Sequence, residues 1–311
     1  MISIIRYTHE KKKEWDDFVN ISKNGTFLFF RNYMDYHSDR FTDHSLLIYR
    51  KEQLVALFPA NIKDNTVYSH QGLTYGGLIY TNKLSTVDIL SIFEMLIHYY
   101  QGNQIKKIVY KPIPYIYSDY PAQEDLYALF RNNAQLTGCH ISSTVLLKKR
   151  LKFIESRKSG IRKANNHQLT CSESKNFDAF WKILESNLNS RYNIKPVHSL
   201  EEIKYLSNLF PENIKLYTVS KGAEVLSGTV LYIYKQLIHV QYISAGEQGK
   251  ELGALDLLFD YLINTQYSEY DYFDFGQSTE QMGYFLNENL LFQKEGFGGR
   301  GVIYPVYELN I

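Results

Sequence analysis

The stretch Tyr272–Arg300 constrains the fold more than any other part of this chain. It begins Tyr272-Phe273-Asp274-Phe275-Gly276-Gln277-Ser278, continues through a segment of helical period, and closes on Phe292-Gln293-Lys294-Glu295-Gly296-Phe297-Gly298-Gly299-Arg300. Alternation of Phe273 and Phe275 with Tyr272, Asp274 and Gly276 predicts a strand buried on one face. Its glycine lets the backbone turn sharply or approach a ligand closely. A short helix and a second glycine turn follow. Such a pattern reads as an α/β site at a strand end, the place where ligands in open sheets bind.

The rest of the chain falls into two halves of similar plan. In the first, apolar runs at Ser45–Tyr49 and Leu54–Phe58 flank a polar turn and predict a hairpin. A strand near Thr66–Ser69, the glycine-bearing loop Gln71–Gly77, a helix opened by Ser85 and a strand over Ile105–Lys111 come next. In the second, helical periodicity over Asn176–Ser190 and Leu200–Leu209 precedes a hairpin turning at Lys221-Gly222. The strand His239–Ile243, the loop Ser244–Gly253, a helix over Ala254–Thr265 and the strand Tyr270–Gly276 complete the order. Gly301–Tyr304 and Val306–Leu309 read as a closing hairpin. The expectation is an α/β (α+β) protein of two tandem domains, 1–150 and 151–311, with mixed central sheets flanked by helices. The final strands are free in this reading to pack back on the first domain.

The paired halves of the Tyr272–Arg300 motif resemble the Fem-type aminoacyl and acyl transferases, a branch of the GNAT acyltransferase superfamily. There a phenylalanine-aspartate-phenylalanine-glycine strand precedes a lysine and a phenylalanine-glycine-glycine turn. The resemblance implies duplicated GNAT-like domains and transfer of an acyl or aminoacyl group from an activated donor to an amine. The implied donors are acyl-CoA and aminoacyl-tRNA. Fem-type enzymes that use tRNA often carry a long helical arm, and no long charged heptad segment exists here, which disfavours the tRNA option. A small-molecule, nucleotide-linked or cell-envelope precursor is the implied acceptor. The rival reading is a non-catalytic ligand-binding protein that keeps a degenerate GNAT fold.

Bulk properties set outer limits. Hydrophobic content of 44% and charged content of 22% are those of a folded globular chain. A formal net charge of +1 provides no global field for DNA or for a membrane, so any basic function must be local. Cys139 and Cys171 are too few for a disulfide framework or a cysteine-rich metal site, and the nine histidines show no metal-ligand spacing. No metal is expected. The N-terminal charge follows only a very short apolar stretch, the wrong order for a signal peptide. With no apolar window of membrane-spanning length, the expected compartment is the cytoplasm.

Four constellations carry candidate chemistry. Arg157, Arg162 and Lys163 belong to a basic stretch suited to phosphate oxygens, and Ile161-Arg162-Lys163-Ala164 resembles a segment near the cleft of Fem-type proteins. Arg191, Lys195 and His198 crowd a loop between helices. There His198 reads either as a general base or as part of a helix start, with Ser199 and Glu202 as a capping box. Lys250 and Gly253 lie in a loop similar to the pyrophosphate-binding loop of GNAT domains, although Leu255 stands where that loop has a small residue. Finally, Ser278, Glu280, Lys294 and Arg300 surround the opening motif, with Glu280 the first choice for general base and His198 the second. Strand alternation puts His239 and Gln241 on one face and Tyr242 on the other.

Overall fold

The computed structural model describes residues Ile2–Ile311, apart from the side chains of Arg191 and Tyr192. It forms two compact units, each assembled from separate stretches of chain. The first comprises Met1–His140, Thr279–Phe285 and Ile303–Ile311, and the second Ile141–Ser278 and Leu286–Val302.

In the first unit, β1 (Ile2–Arg6), β3 (Leu46–Arg50), β4 (Gln53–Phe58) and β7 (Ile79–Tyr80) form an antiparallel sheet in that order. β8 (Lys107–Tyr110), β6 (Thr66–Tyr68), β5 (Asn61–Lys63) and β2 (Thr42–Asp43) are hydrogen-bonded in that sequence, with β6 and β8 parallel. The predicted β3–β4 hairpin is present. Helix α1 (Lys12–Ile21) and the short α2 (Arg31–Met34) lie between β1 and β2 in the chain, and α3 (Thr86–Gly102) and α4 (Glu124–Arg131) pack on the strands. A reciprocal capping box between Ser85 and Asp88 starts α3 where the sequence placed it.

The second unit holds the motif. Strand β9 (Gln135–Leu146) contributes its last six residues to it. The sheet order is then β10 (Thr170–Ser174), β11 (Ile214–Lys221), β12 (Glu224–Ile233), β13 (Leu237–Ala245), β14 (Tyr272–Gln277) and β9. Every pair is antiparallel except β13 with β14. One face is covered by α5 (Glu155–Asn166) and α9 (Ala254–Tyr261), the latter entered through α8 (Glu247–Leu252) and running on as a π-turn to Gln266. The other face carries α6 (Phe177–Tyr192), with α7 (Leu200–Leu209) alongside. Two small strands, β15 (Thr279–Glu280) and β16 (Phe285–Leu286), lie between β14 and α10 (Glu288–Glu295).

The closing hairpin is corrected to one strand, β17 (Arg300–Asn310), which runs through Pro305 without a turn. Proline lacks only the N–H, so a position that makes no ladder donation there accommodates it within an extended strand.

Aromatic residues of the opening motif make the core on the α9 face. Phe273 and Phe275 are buried and meet Phe259 of α9 at centroid separations of 6.0 and 4.9 Å. Phe297 from the second glycine turn stacks on Phe275 at 5.7 Å. Burying a ring of this size stabilises by roughly 1.5–3 kcal/mol, so these four rings tie the two ends of the motif together.

Candidate active site

The parallel strands β13 and β14 pair only over Leu237↔Tyr272, Ile238↔Phe273 and His239↔Asp274. Both continue past that point, β13 to Ala245 and β14 to Gln277. Two local features part them. In β13, Leu231 faces Val240 and Val230 faces Tyr242, so Gln241 is a bulge residue with no partner in the ladder; a bulge bends its strand and increases its twist. In β14 the register to β9 shifts between Asp274 and Gln277, where Gly276 takes φ +74°. A side chain there would sit in a strained left-handed conformation, which glycine avoids. Parted strands leave backbone donors and acceptors for something other than each other.

The bulge also overturns the alternation read along β13. Ile238, Val240 and Ile243 all pack with the α9-side core, whereas Tyr242 packs edge-on against Trp181 of α6 at 5.1 Å. His239 and Tyr242 therefore share a face. One extra residue between Val240 and Tyr242 reverses the phase of everything after it.

Beside the parting point lies a buried polar cluster. Asp274 is 0% exposed, and its Oδ2 is 2.8 Å from His239 Nδ1. Its Oδ1 accepts hydrogen bonds from Thr144 Oγ1 at 2.8 Å and from Ser142 Oγ. Register explains the cluster: His239 is opposite Asp274 on one side, and Thr144 is opposite it on the other. With Nδ1 donating to the carboxylate, the imidazole carries its acceptor lone pair on Nε2. A buried carboxylate is tolerable because its oxygens are hydrogen-bonded.

Lys294, in the last turn of α10, completes the site. Its amine donates to the carbonyls of Gly276 at 2.8 Å and Gln277 at 2.7 Å. Burial pushes this amine down to about 8, partly opposed by the nearby Asp274 carboxylate. The carbonyl of Lys294 accepts from the N–H groups of Phe297 and Gly299. The two halves of the motif are thus one mechanical unit, in which the lysine of the second half holds the strand end of the first. Ser278 follows directly: its N–H donates to Ile141 and its carbonyl accepts from Asn287, while its buried Oγ has no hydrogen-bond partner among the described residues.

The other sequence candidates are distributed as follows. His198 is buried, with Nδ1 2.6 Å from the Tyr242 hydroxyl and its backbone N–H donating to the same oxygen at 3.1 Å. Burial pushes the Tyr242 phenol up to about 12. The capping box of α7 is made by Ser199 and Glu202. Arg191's side chain lies outside the described residues, and Lys195 is exposed. Lys250 reaches Asn187 Oδ1 at 3.2 Å and Glu247 at 2.8 Å. Asn187 in turn donates to Ser244 Oγ and the Ala245 carbonyl. These groups border a cavity of about 240 Å³ at the end of β13, lined also by Leu184, Leu290 and Gln293.

Gly253 has another use than the one read from its loop. It takes φ +75°, and an added Cβ would lie 2.4 Å from the Gly160 carbonyl oxygen of α5. The glycine lets α5 and α9 touch through their backbones. Arg157 turns inward, bonding Asp256 of α9 at 2.8 Å and lying over the Phe297 ring at 5.5 Å. Arg162 pairs with Glu155 on the surface, and Lys163 is exposed. Arg300 is exposed and bonds the Gly299 carbonyl. Glu280 is exposed at the end of β15, in the first unit, so the enclosed apolar setting that its role as base requires is absent.

No protein-family model and no curated protein matches the chain. Solved structures do. FemX aligns with a TM-score of 0.67 at 10% identity, covering 99% of this chain and 97% of that one. L-PGS from Bacillus licheniformis aligns at 0.59 and 11% identity over 96% and 91%. A tandem GNAT protein from the clavulanic acid biosynthesis pathway aligns at 0.50 and 8% identity over 100% and 98%. The chain has a Fem-type, GNAT-like fold. Within this Fem-type architecture, the elements that the sequence motif foretold are the ones framing the parted strands. The His239–Asp274 contact had only a weak sequence signal, an acidic residue in an aromatic strand and a histidine in an apolar one, because the register of two parallel strands is not written in either.

Proposed function

We propose that the protein transfers an acyl or aminoacyl group from an activated donor to an amine. The observation that carries this reading is the parting of β13 and β14 directly beside a buried His239–Asp274 pair and Lys294. The donor's carbonyl lies between the parted strands in this scheme, with backbone N–H groups at the Gln241 bulge facing the developing oxyanion. The acceptor amine attacks that carbon, a C–N bond forms, and the bond to the thiol or ribose oxygen breaks. His239 takes the proton from the attacking nitrogen, Asp274 stabilises the resulting imidazolium, and the proton then passes to the leaving group. Lys294 holds the Gly276–Gln277 carbonyls and so fixes the strand end. Ser278 lies next to that anchor, and Lys250 borders the cavity at the end of β13.

Acyl-CoA and aminoacyl-tRNA both remain donors within this proposal, and a nucleotide-linked or envelope precursor is the acceptor class. A specific observation favours the rival, a binding protein without turnover: Gly253 of the GNAT-like loop is packed against Gly160, so this glycine serves a helix contact rather than an anion. A melting screen with acetyl-CoA, longer acyl-CoA and nucleotide sugars separates the two, since a ligand bound only by the native state raises its melting temperature. Labelled donors that raise it are then tested for transfer to amine acceptors. Stabilisation without transfer establishes the binding protein, and no stabilisation by any of these ligands removes acyl-CoA as donor and nucleotide sugars as acceptors, leaving aminoacyl-tRNA as the donor to be tested by the same transfer assay.

A further inference from the structure

The densest positive charge in the chain has no role in the proposed transfer step. Between Lys148 and Lys163 stand eight basic residues and one acidic residue, Glu155. The whole protein carries only +1, so the remainder is net acidic and this segment is a local pole. The structure removes part of it from the surface: Arg157 is paired with Asp256, Lys148 with Asp271, and Arg162 with Glu155. Lys149, Lys152 and Lys163 are exposed with no carboxylate at salt-bridge distance among the described residues, and Lys158 has only a 3.9 Å approach to Glu155. Arg150, Lys152 and Lys158 line one groove of about 360 Å³ with Leu151, Ile161 and Asn264.

Aliphatic side chains emerge among these cations. Leu146, Leu151 and Ile154 are 43%, 46% and 36% exposed, whereas the aromatic residue of the strap, Phe153, is buried at 8%. A surface of this kind matches a phospholipid interface, where cations meet headgroup phosphates and aliphatic chains enter the acyl boundary. Single-stranded nucleic acid is held instead by several exposed aromatic platforms; the strap and α5 supply none, Phe153 being buried, and the neighbouring α10 exposes only Phe292. We infer that the strap Lys148–Ile154 and helix α5 form a docking surface for an anionic membrane, placing the protein reversibly on a bilayer that no helix among the described residues is long and apolar enough to cross. This inference does not depend on the transfer reading.

Sedimentation of the full chain with vesicles tests it. Vesicles of phosphatidylcholine alone are compared with vesicles carrying about one third phosphatidylserine, at about 0.1 M salt, where charges are screened beyond about 10 Å. The chain is expected to partition onto the anionic vesicles only, and to be released as salt rises. Each cation near such a surface contributes about a fivefold factor in partition, so Lys149→Ala/Lys152→Ala/Lys158→Ala should lose on the order of a hundredfold. Leu151→Ser, with an unchanged melting temperature, should weaken partition as well. No partition by the wild type, or equal partition by the triple variant, overturns the inference. So does an unaffected Leu151→Ser protein that binds a single-stranded polynucleotide as tightly as vesicles, which would assign the patch to nucleic acid.

Discussion

Asp274 is the residue on which the site turns. It is fully buried and joins three strands through His239, Thr144 and Ser142. Asp274→Asn keeps the shape but turns one acceptor into a donor facing groups that themselves donate. The expected cost is about 1–3 kcal/mol of stability, together with a loss of about 100- to 10,000-fold in turnover if His239 is the base. Equilibrium unfolding and, with an identified donor, rate measurements check both. Glu280→Gln serves as the contrasting variant, expected to keep near-wild-type turnover because Glu280 is exposed in the first unit. Lys294 gives a pH signature of its own. Its folded-state pKa is lowered to about 8 from 10.5 by burial. Between those values the unfolded chain binds more protons, so stability rises with pH across this window. Below about 8 the burial penalty is complete. Lys294→Met should therefore flatten the rise between pH 8 and 10, as followed by denaturant midpoints; an unchanged slope would show that the amine is not buried in solution.

At the scale of elements, the contact between α5 and α9 rests on two glycines. Gly160 has Asp256 Oδ2 1.8 Å from where a Cβ would be, and Gly253 has the Gly160 carbonyl oxygen at 2.4 Å. Gly253→Ala adds a clash with backbone, which has nowhere to move, to an unfavourable φ. The expected loss is about 1–3 kcal/mol by overpacking, more than the roughly 1 kcal/mol cost of an alanine forced into the left-handed region. A urea midpoint unchanged by Gly253→Ala would mean that α5 is not held against α9. The same contact brings Arg157 to Asp256, which explains why a residue that looked like a phosphate ligand in sequence is a structural ion pair.

At the scale of the whole molecule, the division of the chain is itself testable. We propose that a boundary at residue 150 does not yield a foldable second half. A fragment 151–311 lacks the end of β9, and with it the Thr144 and Ser142 donors of buried Asp274. Fragment 141–302 keeps the whole of the second unit. The shorter cut is expected to give an aggregating or non-cooperative species and the longer one a sigmoidal thermal transition; equal behaviour of the two would remove β9 from the unit's core. The first unit carries an acid-side signature as well. Burial raises Asp125, which accepts from the Tyr110 hydroxyl at 2.7 Å, to about 6 from 3.8. Between those values the folded state holds the extra proton, so stability falls as pH rises through the window. Asp125→Asn should remove that fall.

What the sequence determined is what short periods and local chemistry encode. The β3–β4 hairpin, the Ser85 and Ser199 helix starts, the turn at Gly222 and the aromatic strand that carries Gly276 were legible because each is set by residues a few positions apart. The motif around Tyr272–Arg300 was also enough to indicate the Fem-type, GNAT-like fold that the solved structures share. Tertiary structure decided everything that depends on register or on distant partners. A single bulge residue, Gln241, turned Tyr242 to the face of His239, and no alternation rule anticipates an inserted phase. The parallel pairing of β13 with β14 put His239 against Asp274, 35 positions further along the chain. Arg157, Gly253 and Glu280 were read by residue type as ligand or base, but their roles depend on what folding places beside them. For Arg157 and Gly253 those neighbours are Asp256 and the backbone of Gly160, and for Glu280 the neighbour is solvent.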